Sequence, residues 1–572
     1  MTSTASDLDA HNRLARQQAL AALGTAAVFE SATVSFTSRG RAVILGPEHR
    51  IRQVAAALDS GFSTCGILTQ AMPEHITPEI EAAAELVPEL SVLQVPVRSL
   101  SGYLGHFDVR VHHDGKDTAL APLVFKQPHC DLVIDLNDEP RITAELPPAG
   151  YLHAGSHESA ERVAERAAEL VGEFDKPRYA RVNAAVCAHS ANGKTGCTRC
   201  LDACPADAIR SVAGRIEIDS HLCHGAGGCA TSCPTGAIHY DYPEGAVVQS
   251  RLERLLSGFL AAGGHAPRLL LHDAAAGEAW VDGQLDQLEG CWLPLQLEEI
   301  GAAGPDLWLQ ALARGAAEVV LVVGAATETT RRDLERELSV ARPILEALGT
   351  GHAISLVAGH EQLADWRPAA ARPLPALSGR TGGKSKRELI SDATAHLYRN
   401  SGLPVADLQV AMPAHAPFGA VDIRVADCTL CNACVSACPT RALGSGKDRP
   451  LLSFVEERCV QCGLCVQSCP EKVLSLAPRY QLDPALRSRP VTLKEEAPFE
   501  CIRCGKPFAT QSMIRNMQAR LAGHHMFAGT AAERLKMCAD CRIVDMATSD
   551  QDAGLVGLGE AIRPGSPERS SH

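Results

Sequence analysis

Residues 428–439, CTLCNACVSACP, and residues 459–470, CVQCGLCVQSCP, decide how this chain is read. Each follows the spacing C-x2-C-x2-C-x3-C-P, with Cys428, Cys431, Cys434 and Cys438 in the first and Cys459, Cys462, Cys465 and Cys469 in the second. Three thiolates on one tight loop can cover three corners of a four-iron cubane. The fourth lies a helical turn further on, before a proline that turns the chain, and reaches a different cubane. The expected ligand sets are therefore crossed: Cys428, Cys431, Cys434 and Cys469 for one [4Fe–4S], and Cys459, Cys462, Cys465 and Cys438 for the other. Small residues such as Ala433 and Gly463 let the loops wrap closely and aim amide N–H groups at sulfur. Zinc prefers two separated C-x2-C pairs and does not account for this pattern.

An altered copy precedes it. Cys197, Cys200 and Cys204 stand at the last three positions of one run, and Cys187 fills the first across a nine-residue gap. The second run, residues 223–234, CHGAGGCATSCP, has Cys223, Cys229 and Cys233, with Ala226 where a cysteine is expected. Crossing assigns Cys187, Cys197, Cys200 and Cys233 to one [4Fe–4S]. Cys204, Cys223 and Cys229 are left for a fourth site. Three thiolates suit a [3Fe–4S] cluster. They also suit a site-differentiated [4Fe–4S] whose odd iron takes His224, His221, Asp219, water or an outside ligand. An empty site is the third option. Both C-P turns persist, which argues for a retained fold.

A third group, Cys501, Cys504, Cys538 and Cys541, consists of two C-x2-C pairs separated by 33 residues. This is a zinc-ribbon or treble-clef pattern, preferred here over a fifth iron–sulfur cluster. His524 and His525 read as helix-end residues, since four thiolates already complete a tetrahedron. Cys65, Cys130 and Cys291 are isolated in apolar text and read as core. The stretch 192–195, NGKT, resembles the end of a phosphate-binding loop, but Ala188 stands where its first glycine belongs. No Rossmann, flavin or nucleophile-triad signature is present.

Of 22 cysteines in 572 residues, 19 fall in these three groups, which points to a reducing compartment. The net charge of −13 disfavours nucleic acid as a partner. The start of the chain has no apolar signal core, and the longest apolar run, AAEVVLVVGAA, is too short to span a bilayer. A cytoplasmic protein without membrane insertion is expected.

Around the cysteines, apolar strand-like runs alternate with amphipathic helical text, an α/β pattern. The fold class expected is α/β plus α+β and multidomain, with two ferredoxin-like βαβ-repeat iron–sulfur domains, α/β scaffold domains and a C-terminal zinc-ribbon-like domain. The expected divisions are 1–178 (α/β), 179–245 (altered ferredoxin-like), 246–366 (α/β), 367–386 (linker), 387–482 (two-cluster domain), 483–548 (four-cysteine domain) and 549–572 (tail).

Residues 420–480 resemble a bacterial 2[4Fe–4S] ferredoxin domain. From about residue 180 onward the chain resembles the multi-cluster ferredoxin-type proteins that proteobacteria encode beside molybdenum formate dehydrogenases. The resemblance rests on GCTRCLDACP, the Ala226 motif, the eight-cysteine segment, and CIRCGKPFATQSMI with RLKMCADCR. Residues 293–324 also resemble the delta subunit of hydrogenases that work with heterodisulfide reductase, without that family's cysteine-rich loop. These resemblances imply a polyferredoxin that relays single electrons between redox protein partners, a formate dehydrogenase among them. An electron carrier or oxidoreductase subunit is expected rather than an independent enzyme. The other readings are an iron–sulfur subunit of an oxidoreductase complex, or an assembly or sensing factor that uses the three-cysteine site.

Overall fold

The computed structural model describes residues 5–24, 31–69, 78–155, 158–274, 281, 283–351, 353–358, 362, 366, 375–379, 381–403, 408–447, 449–527 and 529–548. The chain forms two compact units, residues 1–189 with 197–413 and residues 190–196 with 414–572. The expected tail at 549–572, and residues 367–374 and 380 of the expected linker, lie outside the described residues.

The first unit contains two parallel sheets. In the first sheet the strand order is Val92–Leu93, Ser63–Leu68, Arg41–Gly46, Leu132–Asp135, Tyr151–His153, every pair parallel. Its central strands are apolar at consecutive positions because both faces are covered: Ala42, Val43, Ile44 and Leu45 are all inaccessible to solvent. The buried Asp131 carboxylate is held by the Arg41 guanidinium and by the backbone N–H groups of Arg39 and Arg41. A hairpin turns at Asp114-Gly115, with His113 paired to Lys116 and both turn residues at positive φ.

The helix-favouring text of residues 156–174 is helical only in part. The helix spans Ala160–Ala168, capped by the Ser159 hydroxyl, and Gly172–Pro177 is instead a strand antiparallel to Thr33–Ser38. The gain of a full ladder of six residue pairs outweighs the local helical preference.

The second parallel sheet runs in the order Trp292–Leu297, Arg268–Asp273, Glu318–Val322, Ile354–Val357. Helix Pro305–Ala313, buried along its whole length around Trp308, packs against Lys386–Asn400. There Gln310 Nε2 donates to the Leu389 carbonyl at 2.8 Å. This contact keeps Lys386–Asn400 in the first unit, so the units divide at 413/414, whereas the sequence suggested 386/387. Helix Ala5–Leu23, with Ala15 and Ala19 buried, packs on helix Gly245–Ala261, where Gly258 faces Ala19.

The first cysteine segment joins these sheets within the same unit. Strand Ala180–Val182 pairs antiparallel with Ile238–Tyr240, and Ile209–Val212 with Arg215–Ile218. Short helices Arg199–Asp202 and Gly228–Ser232 follow the cysteine loops. The second unit repeats this arrangement. Gly419–Ile423 pairs with Leu474–Gln481, Leu443–Ser445 pairs with Leu451–Phe454, and the short helices are Ala433–Ser436 and Leu464–Ser468. It also holds the hairpin Ser190–Ala191/Lys194–Thr195, whose turn is Asn192-Gly193 at positive φ. The NGKT stretch is thus a hairpin turn. Hairpin Pro498–Glu500/Pro507–Thr510 and helices Gln511–Leu521 and Ala539–Thr548 complete the unit. No described helix is long and apolar enough to cross a membrane.

Candidate metal centres

The two complete motifs surround two cavities. One is lined by Cys428, Cys431, Cys434 and Cys469. The other is lined by Cys438, Cys459, Cys462 and Cys465. Each therefore takes three cysteines from one run and the last cysteine of the other. The remaining lining is mostly apolar, including Leu430, Leu452 and Leu474 in the first and Val421, Phe454 and Leu476 in the second. Donors to sulfur are present: Leu430 N–H lies 3.4 Å from Cys428 Sγ and Gln461 Nε2 3.3 Å from Cys459 Sγ.

Burial, with the neighbouring cysteines adding to it, pushes Cys434 up to about 11 and Cys465 up to about 12. Thiols raised in this way hold their protons unless a cation takes their place. That donor set fits iron, which binds thiolate.

In the first unit, Cys204, Cys223 and Cys229 line a single cavity together with Ala226 and His224. Burial raises all three thiols, Cys229 furthest. The other four cysteines gather too. Cys197 and Cys200 both lie within the fields of Cys187 and Cys233, and Cys200 is pushed up to about 12 by burial and by these neighbours. The gap after Cys187 is closed at its base, where Cys197 N–H donates to the Ala188 carbonyl at 3.0 Å. His189 pins that closure, with Nδ1 2.9 Å from the Cys197 carbonyl and Nε2 2.7 Å from Ser211 Oγ.

Sequence reasoning missed two lysines. Lys176 Nζ donates to the carbonyls of His221 and Cys223, at 2.6 and 2.9 Å. Lys494 Nζ donates to the carbonyls of Val425 and Cys428. Each puts a partly buried ammonium beside the first cysteine of a motif, where positive charge favours an anionic cluster. Neither lies near its motif in sequence, so no local signal marked it.

The third group has a different scale. Among the described residues, Cys501, Cys504, Cys538 and Cys541 bring their sulfurs within 4.8 Å of one another. Cys504 and Cys538 Sγ are 3.8 Å apart. A tetrahedron of zinc–sulfur bonds of about 2.3 Å has an edge of about 3.8 Å, so the set could hold a single ion. Desolvation opposes ionisation of Cys501, but the backbone N–H groups of Cys538, Cys504 and Arg503 outweigh it and bring the thiol down to about 6. Cys541 is pushed up to about 12, first by its hydrogen bond with the Cys504 sulfur. One sulfur ionises readily and the last resists, as expected for four acceptors awaiting a cation. His524 and His525 stack on each other at 4.8 Å beyond the end of the Gln511–Leu521 helix. Cys65, Cys130 and Cys291 are buried, each at the start of or within a sheet core.

Residues 427–474 match the family model of the 4Fe-4S dicluster domain. That segment is an iron–sulfur, ferredoxin-type segment within a larger multidomain chain of mixed helix and strand. No curated protein matches the chain.

Proposed function

We propose that the protein is a polyferredoxin, an electron carrier or oxidoreductase subunit that relays single electrons between redox protein partners. The observation that carries this reading is the pair of crossed four-cysteine cavities inside the matched dicluster segment. A bound [4Fe–4S] cluster accepts and returns one electron; the protein fixes its ligands, surroundings and potential. Cys428, Cys431, Cys434 and Cys469 hold one cluster, and Cys438, Cys459, Cys462 and Cys465 a second. Cys187, Cys197, Cys200 and Cys233 hold a third. Cys204, Cys223 and Cys229 form a fourth site of different character. Cys501, Cys504, Cys538 and Cys541 hold structural zinc. The reducing compartment is the cytoplasm, and the motif resemblance supports a formate dehydrogenase as partner.

The test is metal, sulfide and potential analysis of the full chain purified without air. The expected result is iron and inorganic sulfide for three cubanes plus the fourth site, about one zinc, and successive one-electron reductions in a potentiometric titration. Colourless protein carrying zinc at the eight-cysteine segment would overturn the reading.

A further inference from the structure

The three-cysteine cavity contains a fourth donor. Ala226 lines it at the position where the eight-cysteine segment has Cys462. Three side chains close in sequence could replace that thiolate, and their surroundings separate them. Asp219 Oδ1 accepts the backbone N–H groups of His221 and Leu222, at 2.9 and 3.3 Å. The His221 ring lies flat against Tyr103, centroids 4.3 Å apart, with the edge of Phe36 at 5.4 Å. Neither residue lines the cavity.

His224 does line it. Its Nε2 is buried and has no hydrogen-bond partner among the described residues. The Pro147 carbonyl lies close enough to the ring to favour its charged form, and Nε2 is the nitrogen without a partner. A histidine that ligates metal ordinarily donates its other ring N–H to a carbonyl or carboxylate, fixing tautomer and orientation. A buried ring nitrogen with nothing to bond is costly in an empty site and satisfied by a metal.

We propose that His224 Nε2 is the fourth ligand of a [4Fe–4S] cluster held by Cys204, Cys223 and Cys229. The proposal rests on the iron–sulfur reading above and chooses between the cluster types the sequence left open. A neutral imidazole in place of a thiolate removes one negative charge from the ligand shell, and exchange of cysteine for histidine raises the potential of iron–sulfur centres. The site would then be the most easily reduced of the four and a natural terminus for electrons within its unit.

The test uses the full chain purified without air, with iron and sulfide counts and EPR of oxidised and dithionite-reduced protein. Pulsed EPR is added on chain grown with ¹⁵N-histidine. The expected wild type has no three-iron signal when oxidised and, when reduced, a nitrogen coupling that changes on ¹⁵N labelling. In His224→Ala that coupling disappears and the oxidised protein gains a three-iron signal of about one spin per chain. In His224→Ala/Ala226→Cys the signal is gone again, because four thiolates complete the cubane. A wild type that already shows about one three-iron spin per chain, unchanged in His224→Ala, would overturn the proposal. So would a reduced wild type without nitrogen coupling, a readout that needs no variant to fold. In both cases iron is still present, whereas failure of the electron-carrier reading shows as a chain without iron.

Discussion

Gly227 and Gly463 occupy the same place in their two cysteine loops, and an added methyl group should tell them apart. Each precedes a short helix as its N-cap in the left-handed region, Gly227 at φ 80° and Gly463 at φ 77°. Alanine there costs about 1–2 kcal/mol from backbone conformation alone, at both positions. The surroundings differ. A Cβ on Gly227 would lie 2.4 Å from Ala302 N and 2.8 Å from both Ala302 Cα and Gly301 C, all backbone atoms. A Cβ on Gly463 would meet nothing closer than 4.0 Å. Overpacking against backbone adds about 1–3 kcal/mol to Gly227→Ala, for a total of about 2–5 kcal/mol. At roughly 2–4 °C per kcal/mol for a sizeable domain, calorimetry of the iron-loaded chain should show a loss on the order of 10 °C for Gly227→Ala, against a few degrees for Gly463→Ala. Gly227→Ala should also lose iron from the Cys204, Cys223 and Cys229 site first. Equal losses in the two variants would refute the reasoning, because they would leave the Gly301–Ala302 wall without a role.

Three further outcomes are expected. Cys504→Ser should take zinc from about one ion per chain to near zero by atomic emission while leaving iron unchanged; unchanged zinc would remove the four-cysteine assignment. Arg199→Met strips a guanidinium from the buried Glu337 carboxylate and should cost up to about 3 kcal/mol, with Arg336 still 3.6 Å away; Glu337→Gln in the same chain should recover part of the loss in thermal unfolding. Glu299 is raised from 4.5 to about 7 by burial, with Asp273 and Glu298 adding to it, so the folded chain keeps a proton that the unfolded chain has released. Stability should therefore fall as pH rises from about 4.5 to about 7 and then level off, by about 1–2 kcal/mol after solvent screening, and Glu299→Gln should flatten that slope in melts of the loaded chain.

The cysteine groupings were legible in the sequence because cluster ligation is written in local spacing. Cys428 to Cys438 and Cys459 to Cys469 need only short loops to place their sulfurs, and even Cys187 required only that the chain return, which the Ala188–Cys197 contact achieves. The parallel sheets were legible from runs such as RAVILG and EVVLV, whose continuous apolarity reflects burial on both faces. What could not be read came from residues distant in sequence. Lys176 reaches Cys223 and Lys494 reaches Cys428 only after folding, and Lys386–Asn400 joins the first unit through Gln310. The state of the altered motif belongs to the same class. From sequence alone, Ala226 leaves open a three-iron cluster, a four-iron cluster with a non-cysteine ligand, and an empty site. The packing argues against the empty site. A Cβ on Gly225 would strike the Tyr179 ring at 2.7 Å, one on Gly227 the Ala302 nitrogen at 2.4 Å, and one on Gly301 the Ala226 carbonyl at 2.1 Å. A loop freed from duty has no reason to keep neighbours this close on both sides. This one is packed around three half-buried cysteines and an unpartnered imidazole nitrogen, the arrangement that the proposed histidine-ligated site requires.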